Sequence, residues 1–412
     1  MTRLLMGLAA VLLCTANAAA DIDYWRYLSS FGYVRALAVD PSNGNVVYAA
    51  VSNAATYSGD HGTQIAQGVY RSTNGGSSWA ERNVGLTNKF VSSLAIDPAA
   101  PATLLAGVDG GGVFRTTDAG LTWTPQNNGL GTLGVYAVAI HPQTSTTMYA
   151  GLELGGVFRS LDGGNTWAAT AGLGNLTVWQ IVFDPVNPAT MYAAPASGVR
   201  KSVNGGTSWA ATGTLAVPIS SDYPTGIVSE VHTVLVDASN PSTVFAGLWD
   251  GAGMFKSTNG GATWVQTPTG LLSRYGNWRF MNLVVQDPAT PSTLYATSTQ
   301  GTYRSIDGGN TWVTFSTGMS RDEGYAFGTG SADGVWVASA YGDVHKLTTR
   351  PSAVDHMRCF KARAREFVSA MRAQGRTGGI EVFLQEYGLD TEEGIVLLCM
   401  AEALPKDGKL TT

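Results

Sequence analysis

The stretch Gly156-Val-Phe-Arg-Ser-Leu-Asp-Gly-Gly-Asn-Thr-Trp167 decides the fold. A strand-like run enters Asp162-Gly-Gly164 and a second run leaves at Thr166-Trp167. Asp or Asn followed by Gly between two such runs is a strong hairpin signal, because the turn needs positive φ. The carboxylate or amide can hold the turn by bonding N–H groups nearby, and the hydroxyls add local bonds. The indole is a large apolar anchor for a neighbouring layer. Five more copies follow the same pattern: Ser72–Trp79, Thr116–Trp123, Ser202–Trp209, Ser257–Trp264 and Ser305–Trp312. The pattern S-x-[DN]-x-G-x-[ST]-W thus returns every 42 to 55 residues, a period that marks a repeat architecture. Asn74, Asp118, Asp162, Asn204, Asn259 and Asp307 are its turn-holding residues, with a structural role expected for each.

Upstream of each copy lies an apolar run closed by an acidic or polar residue and usually Pro, as in Val91–Pro98, Val135–Pro142 and Val178–Pro185. A second run follows, such as Thr103–Gly107 or Thr293–Thr297. Four strands per repeat predict a propeller blade. The motif resembles the Asp-box, or BNR repeat, of sialidases, xyloglucanase-type glycoside hydrolases, sortilin-type receptors and photosystem II assembly factors. The resemblance implies a β-propeller over residues 21–350, and it leaves function open, since those families mix enzymes with binding proteins.

The ends of the chain set the blade count. After Trp312 come three strand-like runs, near Tyr325–Ser331, Gly334–Ser339 and Asp343–Leu347. The run Tyr24–Gly32 supplies the missing fourth, so the reading is an all-β, seven-bladed propeller closed by its N-terminal strand. That gives about 47 residues per blade, the size of a four-stranded unit.

Residues 1–20 read as a signal peptide: Arg3, the apolar run Leu4–Leu13, then Ala18-Ala-Ala20. A periplasmic or extracellular protein is expected. With 51 Gly and 13% charged residues, the composition suits a turn-rich β protein. A net charge of −5 argues against nucleic-acid binding. No second apolar stretch is long enough to span a membrane. Residues 21–350 hold no Cys, so the propeller is expected to need no disulfide.

From Ala353 onward the β pattern stops and charges become dense. Residues 351–412 predict a short α-helical C-terminal tail, with Asp390-Thr-Glu-Glu393 as a capping box. The stretch from Ala362 to Leu404 resembles the helical arm of bifunctional proline-utilisation flavoenzymes. The flavin barrel and aldehyde dehydrogenase domain of those enzymes are absent, so the tail reads as a fused fragment carrying no proline dehydrogenase activity.

Catalytic signatures are missing. No Gly-x-Ser-x-Gly elbow, His-Glu-x-x-His site, P-loop or Cys-x-x-Cys pair occurs, and five scattered His make no metal signature. Neither cofactor nor metal is expected. Arg71, Arg115, Arg159, Arg200 and Arg304 share one register beside the turns, with Lys256 in the same place, which points to a structural job.

Function is sought where the repeat breaks. The loops between strands two and three, and between blades, share one face, opposite the repeated turns. Unusual loops there are Ser52–Gln67 with Asp60, the linker Ala216–Glu230, Trp249-Asp250, Ser273–Arg279 and Arg321–Glu323. The second residue of the innermost strand also varies: Arg35, Ser92, Tyr136, Trp179, His232, Asn282 and Ala326. This suggests a channel mouth. A ligand is expected above it, contacted by Trp179, Trp249, Asp250, Tyr275 and Trp278, with Arg35 and His232 beneath. The expected protein is a monomeric, non-enzymatic binding or assembly propeller for a glycan or protein partner. The alternative is a glycoside hydrolase of xyloglucanase or sialidase type, which needs two carboxylates about 5–10 Å apart. Its candidates are Asp60, Asp109, Glu153, Asp250, Asp322 and Glu323.

Overall fold

The computed structural model describes residues 22–30, 33–54, 64–216, 227–228, 230–248, 253–267, 281–298, 301–315, 324–329, 335–339 and 343–350. The expected signal peptide and the helical tail lie outside those residues. One unit of the chain, Tyr24–Thr348, carries the ring. Seven four-stranded antiparallel sheets succeed one another along it. In blade one the strands are Tyr33–Val39, Val47–Ala54, Gln64–Ser72 and Ala80–Glu81, from inside out. Blade three repeats this with Val135–Ile140, Met148–Leu152, Gly156–Ser160 and Ala168–Ala169. In blade seven, Gly324–Thr329, Val335–Ser339 and Asp343–Arg350 are followed in sheet order by Ile22–Ser30.

The linker between blades four and five carries an extra hairpin, Leu215–Ala216 paired with Ile227–Val228. Two residues per strand are too few for an alternating pattern, so this element has no signature in the sequence.

Burial follows strand position. The second strands are buried along their whole length in blades two to six, because sheets cover both of their faces. The two-residue outermost strands are exposed. Apolar clusters form between neighbouring blades. Leu105 and Val113 of blade two pack with Val135, Met148 and Trp167 of blade three. The ring meets itself where Ala326, Trp336 and Val344 of blade seven pack with Val34, Leu37 and Val47 of blade one.

The repeated turn is a compact hydrogen-bonded unit. Ser160 Oγ donates to Asp162 Oδ1 at 2.7 Å and accepts from the Gly164 amide at 2.8 Å. Asp162 Oδ1 accepts the Thr166 amide at 2.9 Å, and Thr166 Oγ1 donates to Oδ2 at 2.6 Å. Gly163 sits at φ 75°, where a side chain is disfavoured. Blade two places Ala119 at the equivalent position with φ 61°. In the Asn copies the last bond reverses: Asn74 Nδ2 donates to Ser78 Oγ at 2.8 Å, and Asn204 Nδ2 to Ser208 Oγ at 2.9 Å.

Four of the six indoles also grip the preceding blade, those of Trp123, Trp167, Trp209 and Trp264, whereas Trp79 Nε1 donates to the Gly76 carbonyl of its own turn. Trp167 Nε1 donates to the Gln126 carbonyl at 2.9 Å, and Trp123 Nε1 to that of Arg82 at 2.9 Å. In the other direction, Arg159 of blade three donates to the Gly205 carbonyl of the next turn at 3.0 Å, joined by Tyr149 OH at 2.9 Å. Lys201 reaches Gly260 at 3.1 Å, and Lys256 reaches Gly308 at 2.7 Å. In blade four this register is held by Lys201, one position after the expected Arg200, which bonds Ser197 Oγ instead; Arg159, Lys201 and Lys256 serve the joint between blades.

Hydrogen bonds from Thr122 and Thr116 hold the Asp118 carboxyl at about 2, and those from Thr166 and Ser160 do the same for Asp162. For Asp307, desolvation acts against this, and the bonds from Thr311 and Ser305 outweigh it to reach about 2. A depressed carboxylate contributes stability above its unfolded value of 3.8 that disappears as pH falls through the folded value. Melting temperature should therefore drop steeply from about pH 4 to pH 2. A variant carrying Asp118→Asn, Asp162→Asn and Asp307→Asn should keep the fold, since Asn already serves three copies, and should show a flatter acid limb. An equally steep limb in that variant would mean that other carboxylates set acid stability.

Candidate functional site

A β-bulge recurs at one place in every blade. The pairing of the first two strands slips between Val34 and Ala36, Val91 and Ser93, Val135 and Ala137, and Val178 and Gln180. It slips again between Val231 and Thr233, Met281 and Leu283, and Gly324 and Ala326. The residue passed over is the second of the innermost strand in blades two to seven and the third in blade one, whose strand starts at Tyr33. A bulge leaves its extra residue out of the ladder and re-aims its side chain. That residue is Arg35, Ser92, Tyr136, Trp179, His232 and Asn282 in blades one to six. In blade seven it is Tyr325, one position before the Ala326 expected from sequence. The bulge had to be seen to align that blade, because Gly324-Tyr-Ala-Phe fits the apolar pattern in either register.

The bulged residues of blades one to five open onto a central cavity of about 620 Å³. Arg35, Ser92, Tyr136, Trp179 and His232 line it at the start of the innermost strands. Farther along those strands its wall is aliphatic, from residues such as Leu37, Leu94, Ile96, Leu283 and Val285. Residues just past the bulge tie neighbouring innermost strands together. Ser93 Oγ accepts the Val138 amide at 3.1 Å, Gln180 Oε1 that of Val234 at 2.7 Å, and Thr233 Oγ1 that of Val284 at 3.3 Å.

Three bulged side chains from consecutive blades form one stack. The rings of Tyr136 and Trp179 lie 4.7 Å apart at 33°, and those of Trp179 and His232 lie 4.5 Å apart at 26°. Burial lowers the His232 pKa to about 4. Burial also raises the Tyr136 hydroxyl, helped by the negative charges of Asp109 and Glu153 and opposed by Arg35. The mouth thus has a cationic side in blade one and an acidic side in blades two and three. Trp179 Nε1 and Ser92 Oγ are buried without a hydrogen-bond partner among the described residues.

Of the residues expected to bind, Trp179, Arg35 and His232 come together at this mouth. Trp179 stands in the ring with the other two and not above them. Trp249, Asp250, Tyr275 and Trp278 lie outside the described residues, as do Asp60, Asp322 and Glu323. Asn74, Asp118, Asp162, Asn204, Asn259 and Asp307 all hold turns between the third and fourth strands, away from the mouth. Tyr136 belongs to the site as fully as Trp179 does. Its departure from the repeat at the bulge position was the signal for it. Among the described residues no group of His, Cys, Asp and Glu could hold a metal ion, and no helix is long and apolar enough to cross a membrane.

A family model described as the DNA-binding domain of proline dehydrogenase matches residues 379–406, a short part of the tail. No curated protein matches the chain. Among solved structures, the GH74 xyloglucanase from Xanthomonas campestris is similar at 17% identity and a TM-score of 0.57, over 79% of this chain and 53% of that one. The chain therefore spans about half the length of that enzyme. YCF48 bound to D1 peptide is similar at 15% identity and a TM-score of 0.57, over 82% of this chain and 99% of that one. YCF48 from Cyanidioschyzon merolae gives 15% identity and 0.55, over 81% and 100%. At these identities the likeness establishes the seven-bladed fold alone.

The depressed His232 value carries a sign. The neutral imidazole is favoured in the folded protein, so its contribution is complete above the ordinary value of 6.5 and fades as pH falls towards about 4. Proton NMR should place this imidazole's titration near pH 4. His232→Gln should remove part of the stability loss between about pH 6.5 and pH 4. Titration of His232 near 6.5 would show that the stack is open to water.

Proposed function

We propose that this protein is an exported, non-enzymatic binding or assembly propeller that takes a protein partner over the channel mouth. The observation that carries this reading is the Tyr136–Trp179–His232 stack. Both faces of the Trp179 indole are spent on its neighbours, so a sugar cannot lie on the largest ring of the stack. What the stack offers outward is the edges of its rings. Those suit backbone carbonyls and side chains of a polypeptide, for which rigid aromatic area is a common hot spot. The single ring also supports the reading. The chain spans nearly the whole of a propeller described as bound to a peptide, and only about half of the xyloglucanase. The export signal at residues 1–20 and the identity of the repeated turns as Asp-boxes belong to the same proposal.

Cross-linking on the intact protein, with partners taken from its own secreted fraction, tests the idea. A partner held by the wild type should be lost when Trp179→Ala removes more than about 1 kcal/mol of contact energy. Retention of every partner by Trp179→Ala, or a glycan-array signal that needs Trp179, would overturn it. The hydrolase reading rests on Asp109 and Glu153, whose charges converge on Tyr136. It requires activity on a xyloglucan or sialoside that Asp109→Asn or Glu153→Gln abolishes.

We further infer that the strand Ile22–Ser30 locks blade seven and that the stability of the ring does not depend on residues 351–412. The sheet order and the abrupt change of composition at Ala353 support this. Deleting residues 22–30 should lower the melting temperature strongly, whereas deleting residues 351–412 should leave it nearly unchanged. Equal effects of the two deletions would refute the inference.

A further inference from the structure

Blade three departs from its neighbour at one exposed position on the channel face. In blades two and three the loop between the second and third strands has the same length, running from Val108 to Gly112 and from Leu152 to Gly156. The second loop residue is left-handed in both. Blade two uses Gly110 at φ 69°, as the geometry prefers, whereas blade three uses Leu154 at φ 48°. A branched, bulky side chain is unfavourable in that region. Burial does not explain the choice, because Leu154 is 65% exposed. A strained, solvent-facing leucine gives the free protein nothing that glycine or asparagine would not supply with less strain. Strain of this kind clusters at sites of function.

The surroundings make this leucine part of a patch. The Glu153 amide donates to the Gly134 carbonyl at 2.8 Å, and Thr132 Oγ1 donates to the Glu153 carbonyl at 3.4 Å. The two loops are therefore joined, and the antiparallel pairing of Val135 with Leu152, continued by Gly134 and Glu153, sets Leu133, itself 45% exposed, at the position across from Leu154. Gly134 leaves room for the Glu153 side chain: a Cβ there would stand 2.8 Å from Glu153 Oε2, which would have to move. The Leu154 amide donates to Thr177 Oγ1 of the next blade at 3.1 Å, which fixes the loop against the Trp179 strand. Glu153 and Asp109 occupy the same loop position in adjacent blades and act together on Tyr136. Neither carboxylate has a cationic partner among the described residues. The result is two exposed leucines bordered by two uncompensated acids at the edge of the aromatic stack.

We propose that this patch docks a protein segment in which an apolar side chain is flanked by Lys or Arg. The proposal rests on the protein-partner reading above and specifies the partner's chemistry. The apolar side chain covers Leu154 and Leu133. The flanking cations meet Glu153 and Asp109, whose like charges select against acidic segments. Leu154 retains its strained backbone because the contact needs its side chain.

The test uses three fluorescein-labelled peptides and the full chain. The first has one Leu between pairs of Lys. The second has Glu for each Lys, and the third has Ser for the Leu. Fluorescence polarisation should show the first binding at least about tenfold more tightly than either control, and raised salt should weaken it. Leu154→Asn should weaken it about tenfold, because Asn accepts the left-handed backbone but offers no apolar surface. The same variant should melt at the same temperature as the wild type or higher, an outcome that loss of a merely structural residue would not give. Glu153→Gln with Asp109→Asn should erase the preference for Lys over Glu. Unchanged affinity in Leu154→Asn, equal binding of the Lys and Glu peptides, or no binding of the first peptide would each overturn the proposal. Those outcomes are separate from failure of the wider reading, which shows as partners that do not depend on Trp179.

Discussion

The joint between neighbouring blades is the constraint on which the rest of the ring depends. Sheets in a propeller do not share ladder hydrogen bonds, so each must be held to the next by side chains and turn carbonyls. The repeated turn does this in one short segment. Its Ser hydroxyl and Asp or Asn side chain close the hairpin locally. That closure aims a carbonyl at the cation of the preceding blade and drives the indole into the apolar gap between the two sheets. The turn residues are polar and largely exposed, yet they fix the position of buried ones. This explains why turn chemistry is repeated with less variation than the strands.

The same division explains how much could be read from sequence. The turn motif, the four-strand period and the three runs after Trp312 were legible because local chemistry dictates them. Glycine, a hydrogen-bonding side chain and an indole at fixed spacing have few other uses together. The bulge ring was legible only in part. Arg35, Ser92, Tyr136, Trp179 and His232 stand out as variable residues among aliphatic ones, but a bulge adds a residue without a residue-type signal of its own. Blade seven accordingly reads one position out of register, at Ala326 where Tyr325 stands. The stacking of Tyr136 on Trp179 on His232 depends on the rotation between blades, which no single repeat encodes. Leu154 was hidden for another reason. Its meaning lies in a backbone angle, and only comparison with Gly110 in the equivalent loop makes an exposed leucine unusual.

The bulge also separates recognition from folding. Side chains on the regular part of the innermost strands pack between blades, where volume changes are costly. Val34, Val91, Val135, Val178 and Val231 are all buried and nearly alike. The next residue is expelled from the ladder and faces the cavity, so its identity is released from that packing constraint. Arginine, serine, tyrosine, tryptophan and histidine are therefore tolerated in one register on the same scaffold. The residue after it returns to structural duty, as the bonds from Ser93, Gln180 and Thr233 to neighbouring strands demonstrate.

A consequence follows for how such a ring acquires specificity. The turn face cannot change without loosening the joints, so variation accumulates at the opposite face, in the bulge ring and the loops beside it. Within that face the costs differ. A bulged residue changes nearly free of backbone cost, whereas Leu154 is held in a conformation that glycine suits better. Ala119 occupies a similar angle in a turn, but its small side chain keeps the cost low and its carbonyl still accepts from Tyr48 OH at 3.5 Å. Leu154 has no comparable structural return, since its side chain points to water. The balance is restored only if something else covers that side chain. The cost of the angle and the exposure of the residue therefore fall on one side chain, in the loop between Leu152 and Gly156 of blade three.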